Sequence, residues 1–309
     1  MMGKILYPLS GIITTVITPF QNDERKEVDW ESYRRELEAA LDAGVSGFLV
    51  PCMASEMPHL THDEIMREVG IAVQICKEKK HGIVIPSVTA PTQKERLEQS
   101  EAYLELGVDG LNLNMKYEGE DDFFKKTAQF DAMGPGFLCI QDISHVDDGL
   151  PDQVLVRLFQ ELPSVRAAKI EVKDPGPKYT RILKKTDGRM AICGAWGSSQ
   201  SIEAYDRGIH ALMPSGLFEL FVNVYNLYHQ DKRDKAIKLF FAMLPIISFT
   251  RQSEPLNRFF HKLYLKRIGV FSDAVSREAV YFDEYHQHYA NDLIDYAVQL
   301  RDRIPEFWT

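Results

Sequence analysis

Several things are scarce in this 309-residue chain, and each scarcity removes a class of function. There are only four cysteines, Cys52, Cys76, Cys139 and Cys193, widely spaced and three of them in apolar strand-like runs. Neither CxxC metal spacing nor a secreted disulfide framework is present, so reduced structural thiols are expected. No apolar run reaches membrane-spanning length. The first twenty residues, MMGKILYPLSGIITTVITPF, lack a basic region followed by an apolar core and a small-residue cleavage site, which leads to the expectation of a cytoplasmic protein. Basic charge is in the minority: the net charge is −9 with acids and bases interspersed, which disfavours nucleic acid and anionic membranes as partners. There is no P-loop lysine pattern, and Gly194-x-x-Gly197 is too short for a dinucleotide fingerprint. Low-complexity tracts and interdomain linkers are also absent. A small molecule or another protein remains as the expected partner, with no cofactor implied.

What the chain does have is 45% hydrophobic residues, enough for a large core, arranged in a regular alternation. Short β-branched and apolar runs recur at Ile12 to Thr18, Phe48 to Cys52, Gly82 to Val88, Gly110 to Asn114, Phe137 to Asp142, Ala167 to Val172, Met190 to Gly194 and Ala211 to Pro214. Helix-like stretches separate most of them: Trp30 to Ala43, Asp63 to Lys79, Thr92 to Leu106, Asp152 to Glu161 and Ser199 to Asp206. Eight such strands alternating with helices predict an α/β fold, a closed (β/α)8 TIM barrel. Asp29 and Thr61 stand where N-caps belong, and Gly44, Gly107 and Gly208 where left-handed C-caps belong. From Leu217 onward the strand signals stop and amphipathic patterns such as DKAIKLFFAMLPIIS and PLNRFFHKLYLKRIG take over. The expected division is a barrel over 1–220 and a helical region over 221–309 packed on it. The aromatic residues of that region read as core or subunit interface.

One residue stands out against this background. Lys169 lies in PSVRAAKIEV among small and apolar neighbours, and strand alternation puts Val165, Ala167, Lys169 and Glu171 on one face. A buried amine without a partner loses its proton easily and becomes a nucleophile toward carbonyls. The ordinary alternative is a strand-end lysine that reaches solvent or pairs with Glu171. In a parallel barrel the catalytic groups gather at the C-terminal strand ends. Besides Lys169, those ends carry PCMASEMPHLTHDE after strand two, CIQDISH at strand five and GAWGSS at strand seven.

These segments resemble the dihydrodipicolinate synthase and N-acetylneuraminate lyase family, barrel enzymes that join a lysine to a 2-keto acid as a Schiff base. GIITTVITPF is similar to the family's opening strand, GVSGFLV with SEMPHLTHDE to its Gly-Glu-x-x-x-Leu-Thr segment, PSVRAAKIE to its lysine strand, and GIHALMPSG to the last strand of lyase-like members. The resemblance spans nearly the whole chain, implies Lys169 as the Schiff-base lysine ahead of Lys173, and implies a homotetramer or homodimer. Departures accompany it. Gln141 stands where the family has a proton-relaying tyrosine, and an amide is neither acid nor base. Met53 and Ala54 replace the paired threonines, Pro51 and Cys52 the preceding glycines. Tyr117 with Glu118 matches only half of a tyrosine pair, and no arginine in QDISHVDDG matches the synthases' carboxylate grip. The synthase reaction itself is therefore not expected.

The remaining groups still allow aldol cleavage, aldol addition or dehydration of a pyruvate-derived 2-keto acid. The resemblance puts the substrate carboxylate on main-chain N–H groups near Ala54 and Ser55. Proton transfer needs another group, for which Glu171, Asp142, His145 and Glu56 are candidates; each has a structural alternative as ion-pair partner, turn cap, solvated imidazole or loop-orienting residue. Met53, Tyr117, Gly194 and Met213 complete the expected lining, which the lost hydroxyls would make less polar than usual. Cys52 has no basic neighbour in sequence to activate it. His59, His62, Glu56 and Asp63 have only generic metal spacing, so no metal is expected. The rival to a lyase is a barrel that has lost catalysis and binds a keto acid, sugar acid or partner protein.

Overall fold

A computed structural model describes residues 9–195 and 198–309. The barrel elements are β1 (Gly11–Thr15), α1 (Trp30–Ala43), β2 (Gly47–Leu49), α2 (His62–Lys79), β3 (Ile83–Ile85), β4 (Ser87–Val88), α3 (Gln93–Leu106), β5 (Leu111–Leu113), α4 (Glu120–Asp131), β6 (Leu138–Ile143), α5 (Asp152–Glu161), β7 (Val165–Glu171), α6 (Pro175–Lys185), β8 (Ala191–Gly194), α7 (Ser201–Asp206), β9 (Ala211–Leu212) and α8 (Phe218–His229). All strand pairs are parallel, and β1 joins β9 as well as β2. The run Gly82 to Val88 is divided at Pro86, which has no N–H for the ladder. Its first half, β3, pairs with β2 and its second half, β4, with β5, so the barrel closes through the proline and eight strands appear as nine.

The expected caps are in place. Asp29 accepts from the Ser32 amide at 3.1 Å, Thr61 and Glu64 form a reciprocal capping box, and Gly44 takes φ 98° to end α1. The barrel interior is filled mainly by modest side chains, Ile13, Leu49, Ile85, Cys139, Ala167, Ala191, Cys193 and Ala211. The opposite strand faces pack against the helices in a larger core that includes Ala168, Ile170, Tyr33 and Phe123. One residue breaks the expected alternation. Leu138 pairs with Val165 but Cys139 pairs with Ala167, so Arg166 is an extra residue in β7. Val165 consequently joins the outer core, while Ala167, Lys169 and Glu171 keep the inner face.

Helix α8 crosses the expected boundary at residue 220 and packs on β1 and α1, completing the helical ring of the barrel. The appended helices are α9 (Arg233–Thr250), α10 (Glu254–Arg267), α11 (Glu284–Asp302) and α12 (Ile304–Trp308). Of the tail's aromatics, Phe218, Phe240 and Phe260 are buried and Phe241 is exposed. Among the described residues no helix is long and apolar enough to cross a membrane. The four thiols are buried and unbridged.

Candidate active site

The inner faces of β7 and β6 bring three of the expected residues together. Because both strands keep the same register past the bulge, Gln141 sits opposite Lys169, two residues from Glu171. Lys169 Nζ donates to Glu171 Oε2 at 2.7 Å, and Gln141 Nε2 donates to the same oxygen at 2.8 Å. Gln141 Oε1 in turn accepts from Asn112 Nδ2 at 2.8 Å, which also lies 3.2 Å from Ser87 Oγ. A polar chain therefore runs from β4 through β5 and β6 to the lysine. All of it is buried or nearly so: Lys169 is 6% exposed and Asn112 fully enclosed.

This geometry corrects the expected state of the amine. Burial, the largest single influence, pulls Lys169 toward the neutral form, but the charge and hydrogen bond of Glu171, with smaller contributions from Cys52 and Cys139, together hold the ammonium above the ordinary lysine value. The resting group is a charged lysine in a buried ion pair. Neutral amine is reached only when the proton moves to Glu171 or leaves the site.

A cavity of about 480 Å³ opens above this pair at the C-terminal ends of the strands. Gln141, Lys169, Glu171, His145, Met53, Ala54 and Met213 line it, together with Cys52. Burial raises the Cys52 thiol even though Lys169 opposes the shift, so its thiolate is disfavoured.

Five expected residues lie elsewhere, each for a plain reason. Asp142 follows Gln141 by one position and so faces outward; it forms a buried 2.5 Å ion pair with Lys178 of α6 and accepts from the Leu150 amide. Gly194 also faces out, since a Cβ there would meet Leu212 and Tyr179. Tyr117 packs edge-on against Phe123 and does not line the cavity. Ser55 turns its hydroxyl to the Val16 carbonyl, and its amide donates to Cys52 O at 3.0 Å, so that amide is already engaged. Glu56, in a left-handed conformation, is fully buried and pairs with Lys262 of α10 while its other oxygen accepts the Arg277 and Glu278 amides at 2.9 Å. It anchors the helical tail to the barrel. The turn of His59 and His62 holds no metal-ligand set, and among the described residues no three His, Cys, Asp or Glu side chains converge.

The lining is richer in polar groups than expected. Thr15 and Ser215 share a 2.7 Å hydrogen bond at the rim, and Ser87, Thr89 and Asn114 contribute from β4, β5 and their loops. The α9–α10 turn supplies Arg251, Gln252 and Ser253, and α10 supplies Asn257. Asn112 carried a readable signal, because LNLN places an amide between leucines at strand period. Arg251 carried none: it lies in a polar break between two helices whose position over the barrel is a tertiary fact.

Fold and site define a parallel (β/α)8 barrel with a carboxylate-paired lysine at its C-terminal mouth. A model of the dihydrodipicolinate synthetase family matches residues 8–129. The 4-hydroxy-tetrahydrodipicolinate synthase of Leptospira biflexa serovar Patoc is 24% identical over 249 residues, covering 76% of this chain and 80% of that one. The enzyme of the same name from Nitratidesulfovibrio vulgaris is 30% identical over 169 residues, 52% of this chain and 54% of its own. Among solved structures, the 4-hydroxy-tetrahydrodipicolinate synthase of Methylacidiphilum fumariolicum SolV superposes with a TM-score of 0.86 at 15% identity, covering 97% of this chain and all of that one. Dihydrodipicolinate synthase from Rhodopseudomonas palustris gives 0.82 at 20% identity, covering 94% and 97%. Over residues 8–129 the chain is similar to the dihydrodipicolinate synthetase family, and over nearly its whole length it shares the barrel fold of these synthases.

Proposed function

We propose that this protein is a Schiff-base lyase acting on a pyruvate-derived 2-keto acid through Lys169, and that its reaction is not dihydrodipicolinate synthesis. The observation that carries the reading is the buried Lys169–Glu171 pair at the floor of the strand-end cavity. Glu171 takes the ammonium proton, and the freed Nζ adds to C2 of the keto acid. The carbonyl oxygen becomes the carbinolamine hydroxyl and leaves as water, protonated by Glu171. The resulting iminium withdraws electrons from C3, so that loss of a C3 proton, or cleavage of the C3–C4 bond with the C4 hydroxyl giving its proton to Glu171 and the C4 fragment leaving as an aldehyde, yields an enamine. Protonation at C3 regenerates an iminium, and addition of water to it releases the keto acid and returns the amine. In this scheme Glu171 replaces the tyrosine that Gln141 displaces, and Gln141 orients the carboxylate through its 2.8 Å hydrogen bond.

The test is incubation with pyruvate and borohydride followed by peptide mass analysis. Lys169 is expected to gain a reduced pyruvyl group, and Lys169→Ala to lose both trapping and turnover. An unmodified Lys169 across a panel of 2-keto acids sinks the proposal; thermal stabilisation by the same acids without trapping then favours a binding barrel.

A further inference from the structure

The cavity above Lys169 is lined by a second cation. Arg251 ends α9 and lines the rim beside Gln252, Ser253 and Asn257, while Lys169 lies on the strand face below. Its Nη1 donates to Ser199 Oγ in the loop after β8, which ties the side chain to the barrel rim. The two carboxylates that share the lining are both engaged. Glu171 holds Lys169 and Gln141, and Glu254 pairs with Arg258 at 3.0 Å. The void is thus lined by both an amine and a guanidinium. A guanidinium is the side chain best shaped to grip a carboxylate with two parallel N–H donors.

Resting on the Schiff-base reading, we propose that Arg251 sets specificity and that the substrate is a 2-keto acid with a second carboxylate at its far end. The keto carbon meets Lys169 and the terminal carboxylate meets Arg251, with the Asn257 amide available beside it. The sequence had no arginine at the strand-five position that grips a carboxylate in the synthases. Here the cation arrives from the appended helices, so the anion is held farther along the cavity and toward the tail.

Calorimetric titration tests this with four ligands, pyruvate, 2-oxoglutarate, 2-oxoadipate and the neutral-tailed 2-oxohexanoate, on the unaltered chain and on Arg251→Gln, with borohydride trapping run in parallel. At least one dicarboxylate is expected to bind tenfold or more tightly than 2-oxohexanoate. Arg251→Gln, at an exposed position, should abolish that advantage and leave pyruvate within about twofold, and Arg251→Lys should restore part of it. Equal binding of the neutral and charged tails overturns the inference, as does a preference that survives Arg251→Gln or an equal loss for pyruvate. Trapping at Lys169 without a charge preference removes the Arg251 role alone. A preference lost in Arg251→Gln without trapping removes the Schiff-base step and keeps the subsite.

Discussion

Replacing Glu171 with glutamine separates the two things the carboxylate does for Lys169. The ion pair is 2.7 Å long and its lysine end is only 7% exposed, so little water screens it. At an effective dielectric of about 20, unit charges about 4 Å apart attract by about 4 kcal/mol. Opposite charges at such range shift a pKa by about 1–3 units. With the carboxylate gone, burial, the largest influence on Lys169, acts with far less opposition. The amine should therefore fall from above the ordinary value of 10.5 to below it. Competitive labelling of Lys169 with acetic anhydride across a pH series measures that midpoint directly, without any substrate. The functional consequence divides: at neutral pH the variant holds more neutral amine, yet the borohydride-trapped adduct should form more slowly and turnover should fall by about 10²–10⁴, because no group carries the proton that lets water leave. A labelling midpoint that stays or rises on Glu171→Gln refutes the electrostatic account. Full turnover in the variant refutes Glu171 as the proton carrier.

Three further outcomes concern the scaffold. Gln141→Leu strips the donor from Glu171 and leaves buried Asn112 without its 2.8 Å partner, so urea unfolding should show a loss of about 1–3 kcal/mol together with slower adduct formation. Glu56→Gln leaves Lys262 buried against one neutral partner and should cost about 3–5 kcal/mol, while Glu56→Gln combined with Lys262→Met should cost less than the two single changes added. Glu68, fully enclosed and close to Thr18, is pushed up to about 8 by burial, so the folded chain holds a proton that the unfolded chain releases near 4.5. Stability from this residue is complete below 4.5 and declines as pH rises toward 8. Glu68→Gln should flatten that decline and add up to about 3 kcal/mol at pH 7, read as a pH series of urea midpoints.

The barrel was legible in the chain because its information is local. Alternating β-branched runs, N-cap side chains such as Asp29 and Thr61, and the left-handed glycine Gly44 act within a few residues, and each was readable without a neighbour in space. Where local chemistry was ambiguous the reading lost detail. Helix α6 opens with Pro-Gly-Pro, which reads as a turn, and α4 starts from Gly119 without a side-chain cap. Lys169, Glu171 and Gln141 followed from strand period and the family resemblance, since β6 and β7 keep their register at the mouth. The same period misassigned Val165, because a bulge at Arg166 reverses the face of everything before it. It also misled for Asp142, where the choice between mouth and helix layer rests on a single position of parity.

The amino-acid sequence by itself determined a parallel barrel with one amine on an inner strand face, since strand period and small neighbours suffice for both. Only the tertiary structure decided the charge on that amine, because its state depends on a carboxylate 2.7 Å away competing with burial. The tertiary structure likewise decided that Glu56 anchors the tail and that Arg251 overlooks the cavity. Both depend on where α9 and α10 fold back across the barrel, a placement set by packing between segments some two hundred residues apart in the chain, as in the Glu56–Lys262 pair.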